Sequence, residues 1–294
     1  MVKPGVRRRL LITTAVVLPL ALCFLAVGAI FCAATLQPRR RVRVIHPSGE
    51  VVQLAANDGA VLRGSWFKAS SGRCVIVLHG VADSRASSAG LAPMFLAAGY
   101  GVLAPDSRAH GESGGRFVTY GLREKYDVIG WTRWMRDHGC VRIYGFGESL
   151  GASTLIQAAA VEPAFAAIVA ECPYADLRRV AEYRVARMSR LPRVLSVPIA
   201  KAVLVAATAY AELAYGFDFG QVLPLDNMRQ TSTPILLIHG LDDFETPASE
   251  SRELVAANPK AELWLVPGAE HCGASTAAPQ EFRRRVLAWF AAHQ

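Results

Sequence analysis

From residue 42 onward, the chain alternates between short apolar segments with the period of a β-strand and segments with the period of an α-helix. Eight segments have the strand pattern: 51–54, 61–66, 74–78, 101–104, 141–145, 165–170, 234–238 and 261–266. Residues 74–78 are apolar throughout, which is typical of a strand buried on both faces of a parallel sheet. Asn57-Asp58-Gly59 predicts a hairpin turn between the first two strands. The alternation predicts a doubly wound, mostly parallel eight-stranded sheet with helices on both faces.

One segment, residues 174–229, interrupts this alternation. It has no convincing strand, and its helical pieces are predicted around 177–188 and 199–215. Because it lies between two consecutive strands, we interpret it as a helical cap inserted over an apolar acyl pocket, with a buried structural helix as the alternative. Its apolar run is too short for a membrane span and is interrupted by a proline and two charged residues, Pro198, Lys201 and Glu212.

The N-terminal 43 residues have the pattern of a membrane anchor. Residues 10–36 form a 27-residue segment without a charge, long enough to be a transmembrane helix. A signal peptide cleaved near residues 32–34 is the alternative. Four basic residues flank each end, so the positive-inside rule does not decide the orientation. We expect a single-pass membrane protein with its catalytic domain, residues 44–294, outside the cytoplasm.

The net charge of +8 belongs to this anchor. Eight of the 32 basic residues lie before Glu50, which leaves 24 basic and 24 acidic residues in the rest of the chain. This balance argues against nucleic-acid binding. The six cysteines show no C-x-x-C spacing, so no metal site is predicted. Free thiols are expected, with a bridge between Cys172 and Cys272 as the exception considered.

Residues 147–151 read Gly-Glu-Ser-Leu-Gly and join the strand predicted at 141–145 to a helix predicted at 150–161. A serine in such a strand–turn–helix connection has a strained backbone and is presented at the tip of the turn. Glycines two residues before and after it avoid collisions with the adjoining strand and helix. A second Gly-x-Ser-x-Gly match, around Ser113, lies in a polar, glycine-rich stretch without that context. Ser149 is therefore the predicted nucleophile.

A serine hydroxyl needs a base to take its proton and an acid to orient that base. Of the seven histidines, three follow Ser149: His239, His271 and His293. His239 ends an apolar strand ahead of the acid candidates, and His293 is one residue from the C-terminus, whereas His271 lies in a loop directly after a strand. Chain order and loop placement therefore predict His271 as the base.

The acid is expected at the same edge of the sheet, where the loop after His239 offers three carboxylates. Asp243 is preferred, Asp242 is its nearest competitor, and Glu171 at the end of the preceding strand is a further alternative. Two backbone N–H groups are expected to bind the oxyanion. One is that of Leu150, after the nucleophile, and the other is that of Val81, in the loop after the first buried strand.

These motifs resemble the serine α/β-hydrolase superfamily, in particular membrane-anchored esterases and thioesterases with a Gly-Glu-Ser-Leu-Gly elbow. The segments that carry the resemblance are His79-Gly80, residues 100–115, 147–151 and 239–243, and His271. It extends over nearly everything from about residue 48 onward. The resemblance implies an α/β-hydrolase fold and a triad of Ser149, Asp243 and His271, favours Asp243 over Asp242, and implies a structural role for Ser113.

The sequence thus predicts a serine hydrolase that cleaves small carboxylic esters or thioesters through an acyl-enzyme on Ser149, with no cofactor and no metal. Three alternatives are an acyltransferase with the same triad, a serine peptidase and a non-catalytic membrane-bound module. Peptidases of the prolyl oligopeptidase type usually carry an N-terminal propeller, for which residues 37–70 leave no room.

Overall fold

The computed structural model describes residues 4–37 and 49–294. They form two compact units. One contains the N-terminal helix together with residues 181–219, and the other contains the β-sheet and the helices packed on it. The predicted domain boundary at residue 44 lies outside the described residues.

The sheet has the eight strands that the sequence predicts: β1 (Glu50–Ala55), β2 (Val61–Phe67), β3 (Arg73–Leu78), β4 (Gly101–Pro105), β5 (Arg142–Glu148), β6 (Ile168–Glu171), β7 (Ile235–Gly240) and β8 (Ala261–Val266). Their order is β1-β2-β4-β3-β5-β6-β7-β8. β2 is antiparallel to both β1 and β4, and all other neighbours are parallel. The predicted fold class, including the N-terminal hairpin, is confirmed.

The helices are α1 (Pro4–Leu36), α2 (Arg85–Ala89), α3 (Ala92–Ala97), α4 (Glu124–Asp137), α5 (Leu150–Val161), α6 (Leu177–Met188), α7 (Arg193–Tyr215), α8 (Pro224–Gln230), α9 (Ser249–Ala257), α10 (Ala274–Ala277) and α11 (Pro279–Ala292), with a 3-10 turn at Phe219–Gln221. Two apolar clusters fill the two sides of the sheet. One includes Trp131 of α4 and Leu155 of α5, and the other includes Phe95 of α3 and Phe290 of α11. Burial on both faces explains why the parallel strands are apolar at consecutive positions.

The helical period predicts a helix over residues 120–137, but α4 begins four residues later, at residue 124. Tyr120 and Gly121 have φ angles of 53° and 110°, which a continuing right-handed helix does not allow. The carboxylate of Glu124 accepts hydrogen bonds from the amides of Thr119 and Gly121, each at 2.7 Å. This side chain therefore stabilises a turn that ends where α4 begins.

In the other unit, α1 packs closely against α7. A Cβ on Gly28 of α1 would lie 2.6 Å from the Cβ of Ala206, so this crossing requires a glycine. The interpretation of the α7 region as an interrupted, short apolar run is wrong. Pro198 lies only five residues after the start of α7, and the helix continues past it to a length of 23 residues. Among the described residues, α7 is the one helix long and apolar enough to cross a membrane, with a mean hydropathy of 1.7.

The expectation of free thiols is also wrong for one pair, because Cys74 and Cys140 form a disulfide. Cys74 is in β3, and Cys140 lies two residues before the neighbouring parallel strand β5. Pairing of these strands brings the two Cα atoms to 5.8 Å, within the range that a disulfide spans. The sequence did not reveal this pair because 66 residues separate its members.

Candidate active site

Ser149 lies between β5 and α5, at the carboxyl end of the central strands. Its φ of 50° and ψ of −108° are strained for a residue with a side chain. Its amide donates a 2.8 Å hydrogen bond to the carbonyl oxygen of Glu171 at the end of β6, so the neighbouring strand holds the turn. The predicted elbow is therefore present, with the serine at its tip.

The elbow requires glycine at residues 147 and 151, because a side chain at either position would collide with neighbouring backbone atoms. A Cβ on Gly147 would lie 2.6 Å from the carbonyl carbon of Gly151, in the first turn of α5. A Cβ on Gly151 would lie 2.5 Å from the carbonyl oxygen of Leu78 in β3. Both separations are too short for real carbon atoms, and both obstacles are backbone. The collisions with helix and strand that the sequence pattern suggested thus exist in the structure.

Asp243 and His271 are brought together by the loops that follow β7 and β8. Nδ1 of His271 lies 2.7 Å from Oδ2 of Asp243. Because an ionised carboxylate can only accept, Nδ1 carries the proton and Nε2 of the neutral ring keeps its lone pair. The other oxygen, Oδ1, accepts hydrogen bonds from the amides of Glu245 and Thr246, both at 2.8 Å. The carboxylate is therefore held in one orientation, facing the histidine.

The pKa shifts of Asp243 and His271 suit proton transfer. Burial alone would raise the pKa of Asp243, but hydrogen bonds from His239 and His271 outweigh it and hold that pKa well below its ordinary value. Burial alone would lower the pKa of His271, but hydrogen bonds with Asp243 and Cys172 outweigh it and raise that pKa above 6.5. The charged carboxylate thus stabilises the protonated form that a general base must reach.

His239 is fully buried beside Asp243, an arrangement that sequence reasoning missed. Its Nδ1 lies 2.7 Å from Oγ of Ser251, and its Nε2 lies 2.8 Å from the carbonyl oxygen of Thr246 and 3.3 Å from Oδ2 of Asp243. Since a carbonyl oxygen only accepts, Nε2 donates to it. His239 therefore orders the loop that carries Asp243. The sequence signal that could have indicated this arrangement is the position of His239 at the end of β7, the strand that precedes the Asp243 loop.

The competing carboxylates are placed differently. Asp242 is exposed, whereas Asp243 is buried. Glu171 is buried, but its Oε1 accepts from the amide of Ala274 at 3.0 Å, and its Oε2 has no hydrogen-bond partner. Burial raises the pKa of Glu171 well above its ordinary value. Of the three candidates, Asp243 is the one at hydrogen-bond distance from His271.

The loop after β3, which carries Val81, passes beside the elbow. A Cβ on Gly80 would lie 3.6 Å from the Cβ of Ser149, an ordinary contact distance. His79 stabilises this loop, because its Nδ1 lies 2.7 Å from the carbonyl oxygen of Gly80 and its Nε2 accepts from the amide of Ser107 at 3.0 Å. Val81 and Leu150 thus belong to the two backbone segments that flank Ser149.

The second Gly-x-Ser-x-Gly match has a structural role, as the resemblance implied. Ser113 is 1% exposed, donates to the carbonyl oxygen of Asp106 at 2.7 Å and accepts from the amide of Arg63 at 2.9 Å. The carboxylate of Asp106 forms a buried ion pair with Arg85. These contacts connect the segment after β4 to β2 and to the start of α2, and the Ser113 hydroxyl acts in them as both donor and acceptor.

Two free cysteines lie next to His271. Cys172 follows β6 and is fully buried, and its Sγ accepts from the amide of Cys272 at 3.3 Å. A hydrogen bond from the Cys272 side chain lowers the pKa of Cys172 to about 5. The sequence indicated only that each cysteine follows a strand, and their proximity to the histidine depends on the pairing of the strands between them.

Comparison with known proteins places these features in a family. Residues 85–294 match the model of the prolyl oligopeptidase family. An uncharacterised Bacillus subtilis protein, YqkD, is 32% identical over 220 residues, which is 72% of this chain and 69% of YqkD.

Solved structures agree in fold. The Pyrococcus furiosus esterase Pf2001 superposes with a TM-score of 0.72 at 26% identity, over 88% of this chain and 98% of the esterase. The Rhodococcus esterase RhEst1, at 18% identity, shares the fold with a TM-score of 0.63 over 83% of this chain and 99% of its own. The family match covers most of the sheet unit and includes the elbow, Asp243 and His271. The chain therefore belongs to the prolyl oligopeptidase family and is a serine α/β-hydrolase.

Proposed function

We propose that the protein is a membrane-tethered hydrolase of carboxylic esters or thioesters. Ser149 attacks the acyl carbon, His271 accepts the hydroxyl proton through Nε2, and Asp243 orients the ring and stabilises its charge. The amides of Val81 and Leu150 bind the oxyanion of the tetrahedral intermediate. Water then releases the acyl group from Ser149. The observation that carries the proposal is the 2.7 Å bond between His271 and Asp243 at the sheet edge that also carries the strained serine.

Similarity to an esterase favours an ester over a peptide substrate. The esterase Pf2001 aligns over 88% of this chain. The prolyl oligopeptidase family match keeps peptide hydrolysis as the second candidate, because the same triad can cleave either bond.

A fluorophosphonate probe tests the nucleophile. The full-length protein in detergent should be labelled, and Ser149→Ala should abolish labelling. Ser113→Ala is the matched control, since it removes the serine of the other Gly-x-Ser-x-Gly match, and it should remain labelled. Unchanged labelling of Ser149→Ala would refute the assignment, and a lack of labelling in the wild type would refute a serine hydrolase mechanism.

A substrate panel then separates the reactions. We expect turnover of p-nitrophenyl esters and acyl thioesters and little turnover of a chromogenic prolyl peptide. Preference for the peptide would establish a peptidase. Products formed with an added alcohol identify an acyltransferase if transfer exceeds hydrolysis. A series of esters of increasing chain length measures the size of the acyl pocket.

Helix α1 anchors the protein as a single span, and the hydrolase domain lies outside the cytoplasm. The 27 uncharged positions at 10–36 support the span, and α7, which packs against α1, has the apolar character expected near a bilayer. The Cys74–Cys140 disulfide supports an oxidising compartment. Alkaline carbonate should leave the protein in the membrane, and protease added outside intact spheroplasts should digest the hydrolase domain. Protection from that protease would contradict the orientation.

A further inference from the structure

Three potential metal ligands converge beside the proposed base. One ligand atom from each of Cys172, His271 and Cys272 lies within 4.8 Å of the others. Cys172 comes from the loop after β6, and the other two come from the loop after β8. Two thiols and an imidazole are the donor set that thiophilic divalent cations such as Zn²⁺ prefer.

The two loops hold this cluster in place. Cys172 and Cys272 have φ angles of 48° and 52°, so both are fixed in the left-handed region. The amide of Cys272 donates to Sγ of Cys172 at 3.3 Å, and the amide of Ala274 donates to Glu171 at 3.0 Å. Oε2 of Glu171 is buried without a partner, in the residue that precedes Cys172. Both cysteines are outside the disulfide, so both sulfur atoms are available.

We propose that Cys172, His271 and Cys272 form an inhibitory binding site for a thiophilic divalent cation of the Zn²⁺ class. In a tetrahedral Zn²⁺ site, bond lengths of about 2.0–2.3 Å put neighbouring ligand atoms roughly 3.5–3.8 Å apart. Ligand atoms within 4.8 Å of one another therefore need to approach by at most roughly 1 Å. A water molecule completes the four ligands. Each thiol releases its proton to solvent as its sulfur–metal bond forms, and nothing is oxidised or reduced.

Metal binding at this site disables the base through either ring nitrogen of His271. If the metal takes Nε2, it occupies the lone pair that accepts the proton of Ser149. If it takes Nδ1, it replaces the 2.7 Å contact with Asp243 that sets the tautomer. Hard cations such as Mg²⁺ prefer oxygen ligands and should not inhibit. The inhibition rests on the proposed role of His271, whereas the binding does not.

Binding is measured first without activity. Full-length Ser149→Ala protein in detergent is titrated with Cd²⁺, and thiolate-to-cadmium charge-transfer absorbance should rise to one equivalent per chain. Introducing Cys172→Ser or Cys272→Ser into the Ser149→Ala protein should abolish most of this charge-transfer absorbance. Cys23→Ser is the matched control, because Cys23 is a free cysteine in α1, and it should leave the signal unchanged. Thermal melting confirms that each variant is folded.

Inhibition is measured next, on protein with Ser149 intact. Zn²⁺ should inhibit ester hydrolysis, a chelator should restore it, and Mg²⁺ should have no effect. The Zn²⁺ concentration for half inhibition should rise at least about 10-fold in Cys272→Ser, since even supporting residues of metal sites cause losses of this size.

Absence of the cadmium signal, or an equal signal in folded cysteine variants, would overturn the site. Loss of two hydrogens from Cys172 and Cys272 under mild oxidation, without metal uptake, would instead assign a redox pair and also overturn it. Metal binding without inhibition would instead contradict the proposed role of His271 as the catalytic base.

Discussion

Replacing Asp243 with asparagine tests the central pair by changing one atom of the carboxylate. The oxygen of the new side-chain amide can keep the hydrogen bonds from the backbone of Glu245 and Thr246, both at 2.8 Å in the native protein. Its NH₂ group then faces Nδ1 of His271, where the native protein has an acceptor at 2.7 Å. Because an amide nitrogen only donates, Nδ1 must become the acceptor and the ring proton must move to Nε2. His271 then cannot take the proton of Ser149.

The expected magnitude follows from this wrong tautomer. The same change of acid in a serine protease triad lowers kcat by about 10⁴-fold, which corresponds to about 5 kcal/mol of transition-state stabilisation. We expect a loss of that order in kcat for a p-nitrophenyl ester, with KM changed little because the acid does not contact substrate. The folded state should survive, since the loop keeps its two backbone hydrogen bonds. Fluorophosphonate labelling should slow in parallel.

Asp242→Asn is the matched control for this experiment. Asp242 is adjacent in sequence but exposed, so its loss should leave kcat close to that of the wild type. If Asp243→Asn retains more than about a tenth of the wild-type kcat in a folded protein, or if Asp242→Asn is the damaging variant, the assignment of the acid is refuted.

Three further outcomes are expected. Since the bond with Asp243 raises the pKa of His271 despite burial, kcat/KM should increase with pH along a limb centred above 6.5; a midpoint at or below 6.5 would contradict this cause. Gly151→Ala places a Cβ 2.5 Å from the carbonyl oxygen of Leu78, and should lower the free energy of unfolding by about 1–3 kcal/mol in chemical denaturation; wild-type stability would show that the backbone can yield. Cys74→Ser removes a disulfide that closes a 66-residue loop and should cost about 4 kcal/mol of stability, and a reducing agent should destabilise the wild type but not this variant.

Much of the fold could be predicted because its signals are local. Strand and helix periods, and the apolar character of strands buried on both faces, occur within a few consecutive residues. The Gly-Glu-Ser-Leu-Gly pattern is also local, and the collision at Gly147 involves the helix that the turn begins, whereas the collision at Gly151 involves Leu78 of β3 and depends on the pairing of β3 with β5. Chain order left three of the seven histidines, and loop placement favoured His271 among them as the predicted base.

Other features depend on which strands are neighbours. The Cys74–Cys140 disulfide exists because β3 pairs with β5, although 66 residues separate the two cysteines. The packing of Gly28 against Ala206 likewise joins helices that are far apart in sequence. Helical period could not show that residues 193–198 extend α7, because a proline is disfavoured inside a helix and Pro198 therefore suggested a boundary there.

The sequence by itself thus determined the order of strands and helices along the chain, the nucleophile elbow and the histidine that follows the last strand. The tertiary structure decided which carboxylate faces that histidine, how His239 supports the loop that carries Asp243, and that two cysteines lie beside His271. The physical reason is that side-chain period and turn chemistry act over a few residues. Hydrogen bonds between loops exist only after the parallel strands have aligned their carboxyl ends along one edge of the sheet.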